Sequence, residues 1–416
     1  MPNDLPGRRS PGNGRSPAPD PMSTSRVVLI LSLLLGVQPV TTDLYLPALP
    51  TITDRLGASM AQAQLTLSGL LLAFGLSQLV WGPVSDRFGR RPVLLLGLAV
   101  YTVAAVGSVL AASMEVLLIW RIVQGAAMGA GVMCARALVR DLYTPEAGAR
   151  AISKGLSGLG VIACVSMPVG ALLAEFFGWR AALAALAVFG AATLGVVATR
   201  FRETLGTPNP RALSPATLLV TWAGILGNRT FWAFALLATM SYGGLFTFLA
   251  ASSFVFMGLM GISKPFYGVL MFSMAVAYLA GTFLCRWLLR HNGVHRAVAI
   301  GGALSLAGGS LMGGLALAGV EGVWAIMLPV YLFMLGHGVH QPCGQAGAVG
   351  PFPHAAGAAS ALSGFMMMLS AFAMGSWLGA NMDGSRFPLT NGMWFWGGMT
   401  ALVAWGLVYR VRPRSA

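Results

Sequence analysis

Two charged side chains lie inside apolar stretches of this sequence, where charge is unusual. Asp43 is the only acid between Arg26 and Asp54, and Arg121 lies in a second apolar run. A charge in hydrocarbon costs at least about 2.5–3.5 kcal/mol, so an ionisable residue there typically marks an ion or substrate path. A carboxyl group in such a place can take up and release a proton. The alternative is a structural Asp paired with a neighbouring helix.

The two charges are predicted to lie at similar depth. Arg121 is six residues, about 9 Å of helix, from Glu115, and Asp43 is seven residues, about 10 Å, from Pro50. Opposite charges at one depth are expected to pair directly or to share a water. Burial favours the neutral acid whereas a nearby Arg favours the carboxylate, so we expect Asp43 and Arg121 together to perform proton coupling.

The local sequence places Asp43 on a bend. Pro39 precedes it by one helical turn and Gly36 by two. A proline inside a helix removes one backbone hydrogen bond, so backbone and side chain are both expected to face a cavity. Farther along, Arg136 lies about 31 Å of helix from Glu115 and is expected to extend its side chain to the inner surface.

Composition identifies the class of protein that must position these charges. Hydrophobic residues are 56% of the 416, charged residues are 9%, and the mean hydropathy is +0.75. A span needs about 20 apolar residues. Twelve such segments are found near 27–49, 63–84, 92–112, 115–138, 152–174, 178–199, 230–256, 266–288, 297–318, 323–348, 355–380 and 388–409. The predicted fold class is therefore an all-α membrane protein with twelve transmembrane helices in two sets of six.

The predicted organisation follows from these segments. We expect a disordered N-terminal tail over 1–25, a six-helix bundle over 26–200, a polar cytoplasmic linker over 201–228, a second bundle over 229–410 and a C-terminal tail over 411–416. The tail has no cleavage pattern of a signal peptide, and Met22 is an alternative start.

Lys and Arg residues predict the orientation. With the N-terminus inside, 21 of the 26 basic residues fall in cytoplasmic segments, four fall outside and Arg121 lies within the membrane. By the positive-inside rule both termini are expected to be cytoplasmic in a multi-pass membrane protein. The net charge of +14 is thus a topology signal and requires no nucleic-acid partner.

The first predicted cytoplasmic loop carries the most specific motif of the chain. It runs from Gly82 to Pro92 and combines glycines for close helix approach with an acid and a group of arginines. A merely basic loop would need neither the acid nor the fixed glycine spacing. The fixed positions are Gly82, Asp86, Arg87, Gly89, Arg90 and Arg91.

This motif resembles the signature Gly-x-x-x-Asp-Arg-x-Gly-Arg-Arg of the major facilitator superfamily. The resemblance implies two six-helix bundles that rock about a central cavity, with the loop acting as a conformational gate. Carried over, Asp86 would face the start of the eleventh helix near His354 and Gly357, and Arg90 would pair with Asp141. For Asp141 a solvated helix end is the alternative.

The first helix resembles a narrower branch. The run Asp43-Leu44-Tyr45-Leu46-Pro47 looks like the opening of Bcr/CflA-type drug:proton antiporters, and the Arg121 region is similar to helix four of antiporters. The Gly-Pro-x-x-Gly-Gly signature of drug exporters is degenerate here, with Met167-Pro168-Val169-Gly170 as its nearest match. The resemblance implies no cofactor, since the proton gradient drives transport, and a monomer whose partners are protons, a small-molecule substrate and the lipid bilayer.

Aromatic, Met and polar residues are candidates for an adaptable cavity wall. Plain helix packing is the alternative for each of them, and for His337 a satisfied core histidine competes with a proton relay. These possible lining residues are Tyr45, Gln124, Tyr242, Phe246, Tyr278, Tyr331, His337 and Met367.

Three functions fit this sequence to different degrees. A proton-coupled exporter of amphipathic drugs accounts for Asp43, Arg121 and the resemblance together. An exporter of an endogenous metabolite such as an amino acid has the same fold and coupling. A membrane enzyme would need a metal cluster, paired catalytic carboxylates or a nucleophile with a base, and no such catalytic or metal pattern is found in the spans.

Overall fold

The computed structural model describes residues 23–143 and 145–411, without the side chains of residues 145–150, 152, 153, 156 and 157. The predicted tail up to residue 22, the alternative start Met22, and residues 412–416 lie outside the described residues. Within those residues the regular structure is helical throughout. The all-α prediction is confirmed.

Thirteen α-helices make up the described chain. They are α1 (Thr24–Asp43), α2 (Leu49–Arg55), α3 (Met60–Phe88), α4 (Arg90–Val109), α5 (Met114–Leu142), α6 (Pro145–Phe176), α7 (Trp179–Arg200), α8 (Pro215–Leu226), α9 (Arg229–Ser253), α10 (Lys264–Leu317), α11 (Val323–Val349), α12 (Ala356–Asn381) and α13 (Phe387–Val403). Short 3₁₀ turns occupy Leu46–Ala48 and Pro353–Ala355, and π-helical turns extend α9 through Phe254–Leu259 and α13 through Ala404–Val408.

These helices make the predicted twelve passages. Ten helices of the described residues are long and apolar enough to span a bilayer. One of them, α10, contains two passages, because Gly293 with φ of 70° breaks the helical backbone midway. The twelfth passage is α13 with its π-helical turn. Six passages therefore lie on each side of the linker.

Helix α1 ends at the residue that the sequence singled out. Pro39 lies inside α1, and the hydroxyl groups of Thr41 and Thr42 donate to backbone carbonyls one turn earlier. The α-helix stops at Asp43, and the chain continues through a 3₁₀ turn into α2. Because the last carbonyls of a helix lack partners within it, this break leaves acceptors at the level of Asp43.

Small residues let α5 pack closely on α3. A Cβ atom at Gly125 would overlap the Leu70 carbonyl group, and one at Gly129 would overlap the Ser77 hydroxyl. Gly125 and Gly129, four residues apart, form a small-xxx-small face on α5. This packing holds the helix that carries Arg121 against the centre of the first bundle.

The two bundles contact each other along α3 and α12 and along α6 and α10. At the end opposite the signature loop, Gln64 Nε2 donates to the Ala250 carbonyl at 2.8 Å, and Lys264 Nζ pairs with Glu175 Oε2 at 3.1 Å. We call this end the far end, and the end with Asp86, Arg90 and Arg140 the basic end. The far ends of the bundles are thus joined.

The linker corrects one prediction. It was expected to be polar throughout, yet residues 215–226 form the apolar helix α8. Most of α8 is exposed, although Ile225 is buried against the second bundle. Pro208 and Pro210 lie before this helix, and Pro215 is its first residue, where a missing N–H costs nothing.

Candidate functional site

Arg121 is completely buried and is held by three groups. Its Nη1 donates to Gln124 Oε1 at 2.8 Å, and its Nη2 donates to the Thr41 carbonyl at 3.0 Å. Its guanidinium carbon lies 4.3 Å from the centre of the Tyr45 ring, a cation–π distance. The carbonyl is one that the break in α1 leaves available, so helix α1 and Arg121 hold each other in place.

Asp43 does not pair directly with Arg121 in this conformation, so of the two predicted arrangements the direct ion pair is wrong and the shared water stays a prediction. No nitrogen of Arg121 lies within 4.0 Å of the carboxylate, which accepts a hydrogen bond from Thr42 Oγ1 at 2.8 Å. The guanidinium is occupied by Thr41 and Gln124 instead. Asp43 is half-buried and lies within electrostatic range of Tyr242 and Tyr267 on the second bundle.

Sequence reasoning missed Tyr101 and Thr66, which line this site together with the predicted Tyr45. Tyr101 donates or accepts a 2.7 Å hydrogen bond with Thr41, and Tyr45 makes one with Thr66. Tyr101, Tyr45 and Thr66 are all buried. The doublet Thr41-Thr42 beside Asp43 was a usable signal, whereas Tyr101 is a single tyrosine in an apolar run and gives none.

Two buried donors of the site have no protein partner among the described residues. They are Arg121 Nε and Gln124 Nε2. Buried polar groups without a protein partner are usually satisfied by ordered water. These two N–H groups of the candidate coupling site can therefore donate hydrogen bonds to water.

The signature loop forms a charge cluster at the basic end. Arg90 is almost completely buried, and its guanidinium contacts Asp86 at 2.6 Å, Asp141 at 3.0 Å and the Ser85 hydroxyl at 2.6 Å. The predicted contact between Arg90 and Asp141 is confirmed. Gly89 adopts φ of 100°, a conformation that side chains disfavour, and lets α4 begin immediately after α3.

The predicted partner of Asp86 is wrong. Instead of the start of α12, Asp86 contacts Arg90 and, at 3.4 Å, Arg140. The residue near α12 is Arg140, since a Cβ atom at Gly357 would lie 3.8 Å from its Nη1. Asp86 and Arg90 are four residues apart at the α3–α4 junction, so this ion pair is local in the sequence.

The remaining gate residues surround this cluster. Arg87 is exposed, with its guanidinium 5.4 Å from the Phe88 ring centre. Arg91 Nη2 donates to the Ala198 carbonyl at 3.0 Å. A Cβ atom at Gly82 would contact Met133 at 3.3 Å, so this glycine allows α3 and α5 to approach.

The linker contributes an acid that the sequence did not reveal. Glu203 accepts from the backbone N–H groups of Arg90 at 2.9 Å and Arg91 at 3.0 Å, at the start of α4. Partial burial alone would raise the pKa of Glu203, but these donors and those of Leu205 and Thr204 lower it below the ordinary value. The linker carboxylate therefore caps a transmembrane helix at the signature loop.

Replacing Glu203 by Gln tests this cap. A group with a depressed pKa stabilises the folded state above its ordinary pKa of 4.5, and this contribution is lost as the pH falls through the folded value. We expect Glu203→Gln to destabilise the protein by about 1 kcal/mol at neutral pH, because water screens the half-exposed group, and by less in acid. Thermal unfolding in detergent at both pH values measures this. An equal loss at both would contradict the cap, and exposed Glu321→Gln is the control.

The second-bundle candidates divide into packed and partly accessible residues. His337 is buried, and its Nδ1 makes a 2.8 Å hydrogen bond with Ser241, as a satisfied core histidine would. The Tyr331 hydroxyl makes a 2.7 Å hydrogen bond with Ser273, and Phe246 is buried in the core. Half-buried side chains are found at Tyr242, Tyr278, Tyr331 and Met367. The remaining candidates are buried and fixed by packing: Tyr45, Gln124, Phe246 and His337.

No group of three metal-binding side chains occurs among the described residues.

Arg136 also differs from its prediction. Its side chain does not extend to the inner surface, because Nη1 donates to the Ser360 hydroxyl on α12, across the bundle interface. Arg136 is partly buried there. This arginine therefore lies between the bundles.

Comparisons with known proteins agree with this architecture. A family model described as Major Facilitator Superfamily matches residues 31–376. The chain is 31% identical to Multidrug resistance protein D of Escherichia coli, covering 81% of this chain and 84% of that protein. It is 31% identical to the chloramphenicol resistance protein of Pseudomonas aeruginosa (82% and 80% covered) and 26% identical to the bicyclomycin resistance protein homolog of Haemophilus influenzae (94% and 98% covered).

Solved structures show the same fold. The xylose transporter XylE from E. coli, in a partially occluded inward-open conformation, matches with a TM-score of 0.73 over 92% of this chain and 98% of that one. The sequence identity is 15%, so this likeness concerns the fold alone.

Proposed function

Because this chain belongs to the Major Facilitator Superfamily, we propose that it exports drugs or similar amphipathic small molecules across the bacterial inner membrane in exchange for protons. One observation carries the proposal. The half-buried carboxylate of Asp43 lies at the break of α1, next to the buried Arg121 network and facing the second bundle. An acid in this position can lose its proton when a substrate arrives between the bundles.

Alternating access supplies the cycle. With Asp43 deprotonated, water and substrate compete for the space beside it; protonation from the acidic outer side removes the charge and favours release of the substrate. The charge cluster of Asp86, Arg90 and Asp141 sits where the ends of the helices must separate, so it biases one conformer. Arg121 keeps the end of α1 in position throughout.

The relatives support drugs as the substrate class. Their names describe resistance to chloramphenicol, to bicyclomycin and to multiple drugs. The signature loop and the Asp43 segment are the parts of this sequence that resemble such exporters. No cofactor is needed in this cycle, and a single chain provides both halves of the path.

Growth protection tests the proposed function. The gene is expressed in a drug-sensitive bacterium, and survival on chloramphenicol, bicyclomycin and cationic dyes is compared with the empty vector. We expect protection that collapses when an uncoupler removes the proton gradient. If no compound protects and the medium instead accumulates an amino acid or another metabolite, the chain is a metabolite exporter and the drug proposal is wrong.

The proposed orientation has its own test. Because the Arg excess falls at the basic end, reporters fused at the N-terminus, between residues 205 and 214, and at the C-terminus are all expected to be cytoplasmic. The side of the membrane is measured with a pair of reporters, one active only in the cytoplasm and one active only in the periplasm. A reporter in the loop before Glu115 is the matched control and should be periplasmic. A periplasmic signal from any of the three cytoplasmic fusions would contradict the orientation.

A further inference from the structure

Arg136 is a charged residue of the bundle interface that the coupling site does not use. It lies fifteen residues after Arg121 on α5, about 22 Å closer to the basic end. Its Nη1 donates to Ser360 on α12, so the guanidinium reaches from the first bundle to the second. Residues at this level lie where a substrate would arrive from the basic end.

No acid among the described residues neutralises Arg136. None of the ion pairs there includes it, and the nearby acids Asp86 of the signature loop and Asp141 at the end of α5 already contact Arg90 and Arg140. A guanidinium stays charged at any working pH, and a partly buried charge without a counter-ion is costly. The position therefore favours an anion from outside the protein.

The hydrogen-bonding of Arg136 is incomplete in the same way. Nε and Nη2 make no hydrogen bond to a described residue, and the Arg136 side chain is only partly buried. A guanidinium has five N–H donors in a planar fork that matches a carboxylate, sulfonate or phosphate group in two places.

A second feature of α12 points to the same ligand. Ser363, one turn after Ser360, has a buried hydroxyl group with no partner among the described residues. Residues three apart lie on the same face of a helix. Arg136 on α5 and the Ser363 hydroxyl on α12 thus supply unused donors from opposite sides of the interface.

We propose that Arg136 binds the acidic group of amphipathic substrates that carry a carboxylate, sulfonate or phosphate, and that this group displaces the Ser360 hydroxyl. The inference rests on the proposed export function and adds a substrate class to it. Neutral and cationic substrates would use the cavity without this contact. A simple latch between the bundles, made by the hydrogen bond to Ser360, is the competing role.

Two dyes with one ring system separate these roles. Fluorescein is anionic and rhodamine 6G is cationic at neutral pH, and both are built on xanthene. Binding to purified protein in a non-ionic detergent is measured by fluorescence polarisation for the wild type, Arg136→Gln, Arg136→Lys and Ser360→Ala. We expect Arg136→Gln to weaken fluorescein binding about tenfold or more and rhodamine binding by less than about twofold. Arg136→Lys should retain part of the fluorescein affinity, and Ser360→Ala should retain all of it.

Several results would overturn the inference. Equal loss for both dyes in folded Arg136→Gln would identify a latch, and an absence of fluorescein binding to the wild type would remove the anion site. Nanodiscs of phosphatidylcholine and of phosphatidylglycerol distinguish the source of the anion, since competition by phosphatidylglycerol would assign Arg136 to a lipid headgroup. A failure of the proposed export function is distinguishable from a failure of the Arg136 site. In that case the wild type would show no gradient-driven export of the cationic dye.

Discussion

Replacing Asp43 by Asn is expected to abolish proton-driven export, the largest effect that we predict. Asn mimics the neutral acid permanently and preserves the shape and the contact with Thr42. The substrate can then still bind between the bundles, but its arrival has no proton to displace. In everted vesicles with an imposed proton gradient, dye export should fall to the level of vesicles without the protein.

The matched control for this variant is Asp54→Asn. Asp54 is an exposed acid on α2, at the far end of the same bundle, and its carboxylate makes no hydrogen bond or ion pair with a described residue. We expect its export to equal the wild type. Gradient-driven export by Asp43→Asn at more than a small fraction of the wild-type rate would exclude Asp43 as the proton carrier, and His337 would be the next residue to test.

Replacing Arg121 by Ala is expected to give the second largest effect. Although the two side chains make no ion pair, removing a positive charge from the same site favours the neutral form of Asp43, and the Thr41 carbonyl and Gln124 lose their donor. A change of 1.4 kcal/mol in proton affinity corresponds to a factor of about ten, so we expect export at neutral pH to fall about tenfold. The loss should diminish at higher pH, where Asp43 can release its proton again.

Export rate as a function of pH checks the Arg121 prediction. Arg121→Lys keeps the charge but not both hydrogen bonds, so its pH profile should lie between those of the wild type and Arg121→Ala. Arg55→Ala removes an exposed arginine at the far end and is the control. A uniform loss at every pH would show that Arg121 only supports the fold, and an unchanged profile would contradict its part in coupling.

The number of helices and the main site residues were predictable because their signals are local. Long apolar segments mark the spans, and a lone charge such as Asp43 or Arg121 is visible against them. The contact between Arg90 and Asp141 was also predictable, but only through the resemblance of the signature loop.

The partners of these charges were not predictable, since they depend on geometry that the sequence does not encode locally. The Thr41 carbonyl is free to accept a hydrogen bond because α1 ends at Asp43. It binds the Arg121 guanidinium, which we had expected to pair with Asp43 because the two charges lie at similar depth. We expected Arg136 to reach the inner surface because of its distance along α5, but its guanidinium donates a hydrogen bond to Ser360 on α12 instead. Glu203 caps α4 although more than a hundred residues separate them.

The most direct test of the central claim is proton release from purified protein. Addition of a transported drug to wild-type protein in weakly buffered detergent solution should release protons, which a pH indicator records, because substrate displaces the proton of Asp43. The account predicts no release from Asp43→Asn, under conditions in which that variant still binds the drug, and normal release from Asp54→Asn. Full release from Asp43→Asn would contradict it.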